Sequence, residues 1–286
     1  AYLSQQDEAQ SLAYWQQLLM PLSTPTYIHS LVAHLSDSPL TSGYAQQVWH
    51  PSDLQVQKWQ SFAKDHGLTL NTLVQGAWAL VLGHLCQQDH VCFGATTSGR
   101  PTTLTGIDTI QGMFINTMPI VATLSDMQTV KWLGDLQQQN LASREHEFIS
   151  LTTIQHLGAP HIEQEQWGLF DSILVFENYP MSEALDALSN EDSEFGFLEA
   201  KEETTYPVTL SVILAEAVQF ELSYQGHLLN TESAEKIHAL LGRALNSITE
   251  LVSINGINLV DEQMAARLLN RGTEQIAALE SATLWH

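Results

Sequence analysis

The sequence predicts a mixed α/β sandwich, and three stretches carry that reading. Residues 70–85 are apolar around almost the whole circumference of a helix. Residues 208–224 hold two runs of strict alternation joined by a short connection, and residues 237–252 carry one apolar stripe at helical spacing. A helix apolar all round must be central, whereas a single stripe marks a helix lying on a surface. Alternation marks strands with one face buried. Elements of both kinds along one chain stack as layers about a shared core.

In order, Leu12, Trp15, Leu18 and Leu19 form one helical stripe from Ser11, which Pro21 and Pro25 end. Tyr27-Ile28 to Leu35 and Ala45 to Trp49 read as short strands. Ser52 with Gln55 three residues on is a capping box; Trp59, Phe62 and Ala63 face inward from that helix, and Gly67 suits its C-terminal end. Thr69 opens the all-apolar helix. His90 to Thr97 reads as a strand, Ser98-Gly99-Arg100-Pro101 as a turn in which Gly99 takes positive φ, and a polar loop runs on to Gly112. Met113 to Leu124 is a second strand. Trp132, Leu133, Leu136 and Leu141 mark an amphipathic helix, and Phe170 to Glu177 a buried strand. Residues 181–203 are acidic and loop-like. Val208, Leu210, Val212 and Leu214, then Val218, Phe220, Leu222 and Tyr224, make a hairpin over Ala215-Glu216-Ala217. The last strong helix carries Ile237, Leu240, Leu241, Ala244, Leu245, Ile248, Leu251 and Val252 on its stripe. Beyond Asn255-Gly256 the pattern weakens to a linker with one short helix near Met264 to Leu269.

Composition narrows the functional classes. With 286 residues and 44% hydrophobic content the chain has ample material for a core. Its formal charge is −22, with only ten Lys and Arg. Nucleic-acid affinity rests on clustered cations, so a phosphate backbone is not the expected ligand. An anionic membrane surface is disfavoured for the same reason. No run reaches the roughly 18–20 apolar residues of a membrane helix, and the first residues lack a signal-peptide pattern. Two cysteines make no disulfide framework, and a cytoplasmic location fits. Without an initiator Met, the chain reads as processed or as an excised piece.

Four segments carry a resemblance to the condensation domains of nonribosomal peptide synthetases. Residues His66 to Leu80, HGLTLNTLVQGAWAL, are similar to the buried helix of that family. Phe93 to Pro101, FGATTSGRP, resembles the strand and loop that follow. Gly112-Met113-Phe114-Ile115-Asn116-Thr117 resembles the family motif Gly-x-Phe-Val-Asn-Thr. Leu169 to Ser172, with Phe176-Glu177-Asn178-Tyr179-Pro180, resembles the strand after the last core motif. Thr205-Tyr206-Pro207 and the hairpin also fit. The shared order and spacing make the resemblance specific.

The resemblance implies one lobe of a chloramphenicol acetyltransferase-like, two-lobed fold. Residues 1–255 would be the C-terminal lobe and 256–286 a linker toward an adenylation domain. The implied activity is amide formation between two carrier-bound aminoacyl or peptidyl thioesters, with phosphopantetheine carried by the partner carrier proteins and no cofactor bound directly. The implied partners are the N-terminal lobe, donor and acceptor peptidyl carrier proteins, and the downstream adenylation domain. The alternatives are a noncatalytic module that recruits carriers or enzymes, and an epimerising or cyclising relative. The family's His-His-x-x-x-Asp-Gly motif lies in the N-terminal lobe. This sequence has no His-His and no Asp-Gly pair, so no catalytic residue is assigned and the chain alone is expected to be inactive.

The resemblance places Ser98, Gly99, Arg100, Phe114, Asn116 and Thr117 along the substrate tunnel. For Asn116 and Thr117 the competing reading is hydrogen bonding to backbone at a strand end; for Ser98 to Pro101 it is a tight turn. His84, Cys86, His90 and Cys92 have metal-ligating side chains, but they run from a buried helix into a strand without the knuckle spacing of a zinc site, and no metal is expected. Neither cysteine lies in a cationic setting that would activate it. The carboxylates of Glu183 to Glu203 read as a solvated loop, and the resemblance implies a latch onto the other lobe.

Overall fold

The computed structural model describes residues 6–29, 38–99, 114–164, 166–177, 204–214 and 217–259. The expectations for Arg100 and the polar loop after it, the acidic segment 181–203, the Ala215-Glu216 connection and the tail beyond 259 lie outside the described residues. The chain runs α1 (Glu8–Leu19), β1 (Tyr44–Trp49), α2 (Asp53–Asp65), α3 (Leu70–Cys86), β2 (His90–Thr97), β3 (Asn116–Thr123) and α4 (Thr129–Arg144). After short helical turns at Leu151–Thr153 and Ile154–Gly158 come β4 (Ser172–Glu177), β5 (Val208–Leu214), β6 (Val218–Gln225) and α5 (Thr231–Glu250).

Local chemistry fixes most helix ends. Asp7 caps α1, accepting from the Gln10 amide. Ser52 and Gln55 form the reciprocal capping box of α2, and Gly67 follows that helix at φ +67. Thr69 caps α3, which is buried without interruption from Thr72 to Gly83. Asn230 caps α5.

The strands form one six-stranded mixed sheet in the order β1-β6-β5-β4-β2-β3. β2, β4 and β5 are mutually parallel; the remaining neighbours are antiparallel. Alternation divides the sheet into two faces. Val91, Phe93, Ala95, Leu174, Val208, Leu210, Val212, Phe220, Leu222 and Tyr224 join α2, α3 and α5 in the main core. On the other face Cys92, Val121 and Ile173 meet α1 through Trp15 and Leu19, together with Ile149, Ile154 and Ile162; Met118, near the start of β3, also joins this cluster. The helices therefore cover both faces over β2–β4, which makes the sandwich.

Helix α4 runs along the edge of the sheet at β3. Trp132, Leu133 and Leu136 are in the main core, while Gln139 turns its side-chain amide onto β3. Its Oε1 accepts from the Val121 N–H at 3.0 Å and its Nε2 donates to the Val121 carbonyl at 2.8 Å. One side chain thus makes both bonds that a neighbouring strand would make at that residue.

Four sequence expectations change. Tyr27 and Ile28 form no strand, and of the described residues there only Thr26 pairs, in a single bridge with Phe170; the rest of that expected strand, 30–35, lies outside the described residues. The strand expected from Met113 starts at Asn116, because Phe114 and Ile115 are occupied by the turn rather than by pairing with β2. Leu141 is 49% exposed: nine residues at 3.6 per turn place it about 180° from Trp132, off the buried stripe. Leu251 and Val252 are also exposed, because α5 ends at Glu250 and Leu251 is extended. Beyond them the chain returns to the lobe. Ser253 pairs with Gln128, the Ile254 amide donates to the Met127 carbonyl, and Ile254 and Leu259 enter the main core.

Candidate functional site

Parallel strands place their carboxyl ends together, and open α/β sheets gather ligands there. In this lobe Thr97, Glu177 and Leu214 end β2, β4 and β5 at that edge, and β3 re-enters from it at Asn116. The last antiparallel pair of β2 and β3 is Thr97 opposite Asn116. Beyond it the two chain segments close into a lip. Gly99 has φ +59, and a Cβ there would stand 1.7 Å from the Phe114 carbonyl oxygen. Only glycine meets both conditions, as the turn reading anticipates. Ser98 is exposed, Phe114 is half-buried, and Ile115 is 68% exposed on the outside of the lip.

Asn116 and Thr117 are held by the protein itself. The Asn116 Nδ2 donates to the Glu147 carbonyl at 2.8 Å, and its Oδ1 accepts from the Thr117 N–H at 2.9 Å. The Thr117 γ-methyl packs onto Gly94, where a Cβ would meet Thr117, Phe170 and Ile173 side chains, each at 2.7 Å. The structure therefore brings Ser98, Gly99, Phe114, Asn116 and Thr117 to one end of the sheet, with both amide groups of Asn116 engaged on backbone. The Thr97 Oγ1 beside them is buried and has no hydrogen-bond partner.

Behind the lip lies a polar cluster that periodicity does not reveal. His146 follows α4 and stacks on Tyr14 of α1, ring centroids 4.3 Å apart. Its Nδ1 is 2.9 Å from the Ser11 Oγ, and the Ser11 hydroxyl reaches the Asp7 carbonyl at 2.9 Å. A serine has one proton to give. With that proton on Asp7, Ser11 accepts from His146 Nδ1–H, and the lone pair of the neutral ring sits on Nε2. Burial lowers the His146 pKa, with Glu145 opposing, which favours the neutral ring. The His146 carbonyl accepts from the Trp15 indole at 3.3 Å, and Tyr14 meets Ser143 at 2.8 Å.

A second cluster anchors the segment between α1 and β1 to the start of β4. Asp171 is fully buried, and its carboxylate accepts from the Ile28 and His29 amides at 3.0 and 2.9 Å and from the His29 ring at 2.7 Å. Trp167 lies against the His29 ring at 4.6 Å. The sequence places Asp171 inside a recognisable segment but gives no sign of its partners, 142 and 143 positions away.

The four metal-type residues are dispersed by role. Cys86 donates to the Tyr27 carbonyl, and burial pushes its thiol up to about 12. Cys92 is fully buried and its thiol is also pushed up by burial. Burial lowers the His84 pKa, with the Arg243 charge adding to the effect, and the His90 Nδ1 meets the Thr123 hydroxyl. Among the described residues no three His, Cys, Asp or Glu side chains cluster as a metal site, and no helix is long and apolar enough to cross a membrane.

A family model described as "Condensation domain" matches residues 1–269. One of the linear gramicidin synthase proteins of Brevibacillus parabrevis is 35% identical over 287 residues, covering 94% of this chain and 5% of that protein. Gramicidin S synthase 2 of Aneurinibacillus migulanus is 30% identical over 240 residues, covering 82% of this chain and 5% of that protein. The chain thus spans a small fraction of these relatives' length. Among solved structures, a four-domain nonribosomal peptide synthetase bound to AMP and glycine superposes with a TM-score of 0.73 at 20% identity, over 90% of this chain and 20% of that one. The X-domain from teicoplanin biosynthesis gives 0.68 at 14% identity, over 90% of this chain and 59% of that one. At these identities the superpositions establish the fold.

Proposed function

The chain belongs to the condensation-domain family, and from that premise we propose that it is the C-terminal lobe of a domain that joins two carrier-bound thioesters by an amide bond. The acceptor amine nitrogen attacks the donor carbonyl carbon; the C–N bond forms, the C–S bond breaks, and the amine's proton passes to the departing thiolate. The match of the family model across residues 1–269, with Phe114 to Thr117 of its Gly-x-Phe-x-Asn-Thr segment at the carboxyl end of the sheet, carries this reading.

The sequence has no His-His-x-x-x-Asp-Gly motif, so the proposal assigns proton handling to the N-terminal lobe. This lobe supplies one wall of the tunnel. Phe114 and Ile115 offer apolar surface to a phosphopantetheine arm carried by a carrier protein. The donor and acceptor carriers and a following adenylation domain are its proposed partners.

The test mixes loaded donor and acceptor carrier proteins with two preparations and reads dipeptidyl thioester by mass spectrometry. The chain alone is expected to give none above background. The chain in one polypeptide with a condensation-domain N-terminal lobe bearing His-His-x-x-x-Asp-Gly is expected to turn over. Turnover by the chain alone overturns the division of labour between lobes. No turnover by the two-lobed protein, with carriers retained on it, points instead to a recruiting module.

A further inference from the structure

We infer that His146 is a positioning residue for the lip at the carboxyl end of the sheet, acting from α1 through Glu147 and Asn116. The inference rests on the proposed function for its catalytic consequence, and on hydrogen bonds for its mechanics. On one side, α1 grips His146 at three points: the Ser11 Oγ on the ring, the Tyr14 ring beneath it, and the Trp15 indole on its carbonyl. On the other side, the next residue offers its carbonyl to Asn116, which in turn accepts from the Thr117 amide. The strut is continuous from the first turns of α1 to the first two residues of β3.

Each link has a defined direction. Ser11 can only accept from His146, because its proton is committed to Asp7. The Asn116 amide nitrogen can only donate to Glu147. Because Phe114 closes against Gly99 two residues before Asn116, the strut sets where the lip stands relative to the sheet. Small misplacements of a site cost rate without removing binding. The His146 side chain meets Ser11 and Tyr14 and its carbonyl meets the Trp15 indole, so its effect on the lip travels through Glu147.

Replacement of the Nδ1 donor distinguishes this from a general packing role. Asparagine places an amide N–H close to where His146 Nδ1 lies, whereas leucine keeps bulk and removes the donor. In the isolated chain, His146→Leu and Asn116→Ala are expected to speed hydrogen exchange at the Thr117 amide selectively, leaving β5 and β6 amides unchanged. His146→Asn is expected to stay near wild type. In the two-lobed protein, His146→Leu is expected to lower kcat roughly tenfold with KM for the loaded carriers unchanged, and His146→Asn to recover it. Uniformly faster exchange throughout the sheet, or wild-type exchange and kcat for His146→Leu, overturns the inference. A wild-type two-lobed protein that forms no dipeptidyl thioester counts against the proposed function alone, since the exchange experiment still decides whether the strut exists.

Discussion

The clearest energetic consequence of the fold concerns His238 and acid. This residue lies on the buried face of α5, 5% exposed, with its ring 6.0 Å from the Trp49 ring and its Nε2 without a hydrogen-bond partner. Burial lowers its pKa to about 4, against an ordinary value of 6.5. The folded pKa is depressed, so the unfolded chain takes up the proton first. Stability is therefore full above pH 6.5 and falls as pH drops toward the folded value. The 2.5-unit gap at about 1.36 kcal/mol per unit gives a full loss of about 3 kcal/mol, reached below pH 4. The sequence pI of about 4.6 makes that region prone to precipitation, so a narrower window is better. Between pH 7.5 and 5.5 the same two pKa values give a loss of about 1.3 kcal/mol. Urea unfolding of wild type and His238→Leu at both pH values isolates this residue, because the other histidines contribute equally to both proteins. Leucine leaves no unpaired polar atom and is expected to be neutral or stabilising at pH 7.5. Its pH-dependent loss should be smaller than that of wild type by about 1.3 kcal/mol. Equal losses in the two proteins would refute the buried, neutral assignment.

Asp171→Ala leaves the Ile28 and His29 amides and the His29 ring N–H without their acceptor, and should cost roughly 3–5 kcal/mol in urea unfolding; Asp171→Asn, which keeps an acceptor oxygen, should cost less. Gly99→Ala forces the Phe114 carbonyl away from the turn and should destabilise by roughly 1–3 kcal/mol, with exchange increased first at Phe114 to Thr117. Gln139→Ala exposes the Val121 N–H and C=O on the sheet edge and should accelerate aggregation, read by light scattering at constant protein concentration, with about 1–3 kcal/mol lost in unfolding.

What the sequence makes legible is what depends on near neighbours. The all-apolar span of α3, the alternating hairpin of β5 and β6 and the Ser52 capping box are local patterns, and each falls where the pattern puts it. Gly99 is legible for the same reason, because a turn between two strands leaves few residues able to take positive φ. The failures share a different cause. Leu141 belongs to an apolar composition but not to the angular stripe, and Leu251 with Val252 extends the stripe past the point where the backbone leaves the helix. Gln139, His146 and Asp171 depend on partners 18, 135 and up to 143 residues away. No window of sequence contains both ends of the longer bonds. The lip is reachable through a motif, yet the motif does not disclose that Asn116 spends its amide on Glu147 and Thr117.

The strand order also sets a timetable. The edge strand β1 is paired with β6, with Tyr44 opposite Gln225, and with no other described strand. A ribosome adding about 5–20 residues per second needs roughly 10 to 35 s to make the intervening chain. During that interval Tyr44 to Trp49, which carries no charged residue, leaves the ribosome without its final strand partner. The strongly negative charge of the whole chain keeps nascent copies on one polysome apart while they wait. Slower translation lengthens the exposed interval in proportion, so rare codons placed between β1 and β6 would lower the soluble yield of a protein whose final stability they leave untouched.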